Sequence, residues 1–241
     1  MAAVVQRAEL HKTIWRIAND LRGSVDGWDF KSYVLGFLFY RFISENLTDY
    51  INSSERDGMR ADGDPQEVID SFDFATISDA DAEVVRDSIV KEKGFFIRPS
   101  DLFANVRARA ASDEDLNETL ARVFRFIENS ARGSGSESDL RGLFDDVDVN
   151  SAKLGNTVAQ RNAKLVKIMD AVGDLPLEHG AAKIDAFGDA YEYLMTMYAS
   201  SAGKSGGEFY TPQEVAEVLA TLALDGRSDV ARVYDPCAGS G

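Results

Sequence analysis

The sequence predicts a mainly α-helical chain, an N-terminal helix bundle followed by the opening of an α/β unit. Three observations predict it. Apolar residues recur at helical spacing through the first two thirds of the chain. Strand-like runs are scarce before the last dozen residues. There a short β-branched segment, Val230 to Tyr234, runs into the small-residue turn "DPCAGSG".

Each element follows from its local pattern. Leu10, Ile14, Ile17 and Leu21 lie on one helical face, and the glycines at 23 and 27 break it. The next helix is expected from about Asp29 to Ile51. Its apolar residues cover nearly every side around "YVLGFLFYRFI", Tyr33 to Ile43, which places it at the centre of a bundle. Residues 52–75, with "NSSERDGMRADGDP", read as a polar loop. Ser78 with Asp81 makes a capping box ahead of Val84, Val85 and Ile89. "GFFIRPSD" is an extended connector, because the residue before Pro99 avoids helix. Ser100 or Asp101 caps a short helix to about Ala110. Ser112 with Asp115 then caps another, which carries Leu116, Leu120, Val123, Phe124 and Ile127 on one face.

"ARGSGSESD", Ala131 to Asp139, has flexible composition and is expected as a long mobile loop inside the helical domain. A helix follows through Leu154, Val158, Leu165, Ile168 and Val172. After the connector "LPLEHG" another runs from Ile184 to about Ala199, with Phe187, Tyr191, Leu194, Met195 and Tyr198 inward. A polar loop, "SSAGKSGG", leads to "EFYTPQEV". There Thr211 is a good N-cap, Pro212 suits the first helical position and Glu214 completes a Thr-x-x-Glu box. Val215, Val218, Leu219 and Leu222 form that helix's expected core face, and "LDGRSD" ends it. The organisation expected is a helical domain over residues 1–177 and the start of a second domain over 178–241.

Bulk properties narrow the function classes. With 241 residues, 44% of them hydrophobic, the chain can bury a sizeable core. The single cysteine, Cys237, excludes an internal disulfide framework and suits a reducing cytoplasm. The most apolar run is about half a membrane span and carries Arg41, so a buried helix is expected and no membrane partner. A net charge of −15 argues against a dedicated nucleic-acid clamp. That charge is uneven, with ten acids against two arginines between Glu55 and Glu83, a run expected to be a loop and a solvated helix end. The two histidines, His11 and His179, lack metal-ligand spacing, and no metal is expected.

Two stretches carry chemistry. In "VYDPCAGSG" a strand delivers Asp235 to a turn ending Gly239-Ser240-Gly241, where glycines let backbone approach a ligand. Gly203-Lys204-Ser205 is not a Walker loop, since Tyr198 stands where its first glycine belongs. Only one helix and one turn separate Thr211 from Asp235, so the two stretches can meet at one sheet edge. Phe209 and Tyr210 then wall a pocket or stack on a ring. Thr211 and the backbone amides at the helix start hold a carboxylate. Asp235 attracts an amino group or a sulfonium. S-adenosylmethionine meets all these demands. The plain alternative is that the two aromatics staple the helix start to the core.

Together "GGEFYTPQEVAEVL" and "VYDPCAGSG" resemble the modification subunit of type I restriction-modification systems, the N6-adenine DNA methyltransferases. "IWRIANDLRGSVDGWDFKSYVLGFLFYRFISE" resembles that family's N-terminal helical domain, and "DAFGDAYEYLMTMYA" the approach to its catalytic domain. The resemblance implies a Rossmann-like α/β methyltransferase domain, of which this chain holds the start. It implies an S-adenosylmethionine pocket lined by Glu208, Phe209, Tyr210, Thr211, Pro212 and Gln213, with Asp235, Pro236, Ala238, Gly239, Ser240 and Gly241 as its first glycine loop. It also implies DNA as substrate, and a specificity subunit, a restriction subunit and a second modification subunit as partners. The family's catalytic Asn-Pro-Pro-aromatic motif is absent, because none of the five prolines are adjacent. No catalytic residue is therefore assigned, and the chain reads as the N-terminal part of a longer enzyme. The alternative is a non-catalytic helical module that docks a specificity subunit or DNA through basic positions such as Lys91, Lys93, Arg98, Arg107 and Arg109.

Overall fold

The structure is a computed structural model and describes residues 11, 12, 14, 27–175, 188, 193, 213–227 and 231–234. Nine α-helices are described: α1 (Gly27–Asp62), α2 (Gln66–Ser71), α3 (Asp79–Val84), α4 (Arg86–Lys93), α5 (Phe103–Ala110), α6 (Leu116–Ser130), α7 (Glu137–Leu140), α8 (Val158–Gly173) and α9 (Gln213–Leu224). Residues 11, 12, 14, 188 and 193 are also helical. The mainly helical fold class is as expected.

α1 is the organising element. Its 36 residues span about 54 Å at the usual helical rise. Tyr33, Val34, Phe37, Leu38, Tyr40, Ile43, Leu47 and Ile51 are all buried, so its first half is surrounded by protein. It packs against α2, α5 and α8, and α8 in turn packs against α5 and α6. Gly36 permits a close approach, because a Cβ there would overlap the Val147 side chain. The amphipathic face read on α6 is observed, with Leu116, Leu120, Val123, Phe124 and Ile127 all buried. Phe124 stacks on Phe144 at 4.2 Å between ring centroids and meets Tyr40 and Phe37 edge-on. Burial of Phe144, Val147, Val149 and Leu154 anchors the irregular stretch between α7 and α8, and the Tyr33 hydroxyl donates to the Asp148 carbonyl at 2.7 Å.

Several expectations are corrected. Residues 52–75 are not one loop. α1 continues to Asp62, α2 covers Gln66–Ser71, and a 3-10 turn covers Phe74–Thr76. The Asp73 carboxylate caps that turn by accepting from Ala75 N–H. Most of the acidic run is exposed as foreseen, but Asp79 accepts from the Ser100 amide and hydroxyl and Glu83 pairs with Arg98. Ser78 caps α3 through Asp81 N–H as expected, while Val84 is exposed at the end of α3, and Val85 separates it from α4. Ser112 and Asp115 do not cap α6. Asp115 stands at the N-cap without a side-chain bond, and the first-turn amide of Asn117 donates instead to Asn162 Oδ1 at 3.1 Å.

The Ala131–Asp139 segment is not one long loop. Ser134 donates to the Gly94 carbonyl, and α7 forms and buries Leu140. α8 starts only at Val158, where Thr157 and Gln160 form a reciprocal capping box. The strand expected over Val230–Tyr234 is not formed in its described part. Residues 231–234 are irregular, with Val233 and Tyr234 more than four-fifths exposed. A strand requires a hydrogen-bonded neighbour, and none of the described residues supplies one. The helix expected over Ile184–Ala199 and the glycine turn after Tyr234 lie largely outside the described residues.

Candidate cofactor site and its scaffold

Of the residues expected around the cofactor, Gln213 opens α9. Glu208, Phe209, Tyr210, Thr211, Pro212, Asp235, Pro236, Ala238, Gly239, Ser240 and Gly241 lie outside the described residues. α9 follows "YTP" as its sequence demands. It ends where "LDGRSD" predicts, with Asp225 and Gly226 both at positive φ and the Asp225 amide donating to Thr221.

The face of α9 expected to enter a core is exposed instead: Val215 48%, Val218 58%, Leu219 58% and Leu222 70%. Among the described residues this apolar helix face is uncovered, as are Val233 and Tyr234, which follow it in sequence.

The basic positions considered for DNA contact are mostly committed elsewhere. Arg98 pairs with Glu83 at 3.0 Å and lies over the Phe126 ring. Arg107 bridges Asp170 and Asp174, at 3.2 and 2.5 Å, and that pairing raises its pKa despite partial desolvation. Arg109 donates to the Ser100 carbonyl, and Lys93 sits over the Tyr50 ring. Lys91 is left on the surface. With Lys93, Gly94, Arg132 and Ser134 it lines an open groove where α4 and α6 both end. Helix C-termini carry partial negative charge, which accounts for cations there.

Sequence reasoning missed one buried polar centre. Arg41 was legible only as an interruption of an apolar run. Its side chain is 8% exposed, its Nη1 donates to the carbonyls of Val172 (2.7 Å) and Leu175 (2.9 Å), and its Nε donates to Glu45 (2.7 Å). A lone arginine inside a core helix signals a buried acceptor, and here the carbonyl acceptors are Val172 in the last turn of α8 and Leu175 just beyond it. A second buried charge, Asp101, is fully enclosed and receives both Nη atoms of Arg122, at 3.1 and 3.2 Å. The Tyr40 hydroxyl donates to the Asp101 carbonyl, and burial pushes its pKa well above the ordinary tyrosine value.

Among the described residues no group of three or more His, Cys, Asp or Glu could hold a metal, and no helix is long and apolar enough to cross a membrane.

Comparison with known proteins gives a consistent picture. The HsdM N-terminal domain family matches residues 10–172, and the N-6 DNA methylase family matches residues 182–241. The type I restriction enzyme MpnII methylase subunit of Mycoplasma pneumoniae is 46% identical over 245 residues, covering 98% of this chain and 43% of that protein. The HindI methylase subunit of Haemophilus influenzae is 38% identical over 63 residues, 26% of this chain and 13% of its own length. A crystal structure of the type I restriction-modification methyltransferase subunit from Streptococcus thermophilus superposes with a TM-score of 0.68 at 29% identity, over 92% of this chain and 45% of that one. The chain thus spans less than half the length of each of these relatives.

Proposed function

The chain belongs to the family of type I restriction-modification methylase subunits, and we propose that its parent protein transfers a methyl group from S-adenosylmethionine to N6 of adenine in DNA. One observation carries this reading. The two family segments follow one another in a single chain, and the second contains both "GEFYTP" and "DPCAGSG".

The residues present suit the donor chemically. Phe209 and Tyr210 offer flat apolar walls for an adenine ring. Thr211 and the first amides of α9 offer donors for a carboxylate at a helix N-terminus. Asp235 attracts the amino group, and Gly239 and Gly241 admit the backbone to close range. S-adenosylmethionine supplies an electrophilic methyl on a positively charged sulfur. In the transfer the N6 lone pair forms a bond to the methyl carbon, the carbon–sulfur bond breaks, and N6 releases a proton. Positioning supplies most of the rate, and no metal is required.

DNA, a specificity subunit, a second modification subunit and a restriction subunit are the proposed partners. Sequence reading by a separate subunit makes an acidic methylase subunit intelligible, because it need not hold DNA tightly alone.

A second reading applies to these 241 residues taken alone: a helical interaction module without activity. It is favoured by the missing Asn-Pro-Pro-aromatic motif and by the core that α1, α5, α6 and α8 share. The test is transfer of labelled methyl to adenine in DNA. The full-length parent with its specificity subunit should show it, and Tyr210→Ala should depress it. The 241-residue chain should show none and should bind S-adenosylmethionine very weakly. Calorimetry giving this chain a micromolar constant would overturn the second reading, and a parent that methylates no adenine would overturn the first.

A further inference from the structure

The border between the two family segments falls between residues 172 and 182, yet the described contacts cross it. The His11 and Tyr193 rings are stacked, with centroids 4.2 Å apart and planes 12° from parallel. These residues come from opposite ends of the sequence, one in each segment. Ile14, one helical turn from His11, is 1% exposed and belongs to the same core as Tyr33, Val34 and Phe37. Tyr193 is partly buried and packs against that core. Desolvation raises its pKa, as expected for a phenol packed against protein. On the other side of the border, Arg41 holds Leu175 to the same helical unit.

Leu175 and Tyr193, which flank this border, thus both rest on the helical core. We propose that Tyr193, although it lies in the methylase segment, is part of the helical domain, and that the His11–Tyr193 stack is the latch that holds it there. The helical domain then holds one point of the sequence ahead of Phe209 and Tyr210. The proposal stands whether or not the methyl-transfer reading does.

The test uses the whole chain with a site-specific protease sequence inserted between Leu175 and Gly188. After cleavage the two pieces should co-elute on size exclusion. His11→Ala should weaken their association by roughly 2- to 12-fold, the range of an aromatic pair beyond its buried area. His11→Phe, which keeps a ring for Tyr193 to stack on, should restore it. Separation of the wild-type pieces on cleavage would overturn the shared core. Equal affinity for wild type and His11→Ala would overturn the latch, as would failure of His11→Phe to differ from His11→Ala.

Discussion

Replacing Arg41 by methionine tests how the central helix holds the far end of the bundle. The substitution keeps most of the apolar stem and removes the charge and three hydrogen bonds, to Val172, Leu175 and Glu45. The Val172 carbonyl keeps a backbone partner in the Leu175 amide, so the larger loss falls on the Leu175 carbonyl and on Glu45. Breaking a buried ion pair from one side costs about 3–5 kcal/mol. Glu45 is 22% exposed, so water recovers part of its solvation and the lower end applies, about 3 kcal/mol. With a urea slope of about 2 kcal/mol/M, the unfolding midpoint followed by circular dichroism should fall by about 1.5 M. Adding Glu45→Met should return part of the loss, because the double variant also removes the carboxylate that faced the lost guanidinium. A midpoint within about 0.25 M of wild type, the scale of an ordinary surface change, would refute the claim that Arg41 clamps the end of α8.

Three further outcomes follow from the geometry. Tyr40 is buried with its pKa raised, so above about pH 10 an unfolded chain ionises this phenol while the folded chain retains its proton. Stability should be flat in this respect below that pH and fall above it, and Tyr40→Phe should remove this share of the alkaline fall while costing about 1–2 kcal/mol at neutral pH. Gly63 and Gly94 share a left-handed backbone, φ 81° and 84°, but a Cβ at Gly63 meets nothing within 4 Å whereas one at Gly94 overlaps Ser136. Both alanine variants should lose about 1–2 kcal/mol to backbone strain, with Gly94→Ala losing about 1–3 kcal/mol more in chemical denaturation. On α9, Leu219→Lys with Leu222→Lys should lower binding of a hydrophobic dye and leave the helical unit's stability within about 0.5 kcal/mol.

What the sequence made legible was what it encodes within a turn or two. The α6 face is observed residue for residue because five apolar positions spaced by three and four leave no other way to bury them. The Ser78 cap is equally local. The last three turns of α1 escaped because periodicity marks a helix only where one side is buried. Residues 53–62 project into solvent on nearly every side, so their polar composition is that of a loop although the backbone stays helical until Gly63. Val230–Tyr234 failed in the opposite sense, since its β-branched pattern states a preference that only a neighbouring strand can satisfy.

The candidate site divides along the same line. "GEFYTP" and "DPCAGSG" disclose their chemistry through residue type, while their mutual geometry is not a local property. Arg41 and His11 show how far non-local terms reach. Their partners lie in segments that no spacing rule connects to them, Arg41 on Val172 and Leu175, His11 on Tyr193. Both contacts fall at or across the border between the two family segments. A border drawn from sequence similarity marks where a conserved pattern changes, whereas a border drawn from packing marks where the core ends. Tyr193 lies beyond the first and within the second, so the unit that folds around α1 is longer than the segment that shares its family name.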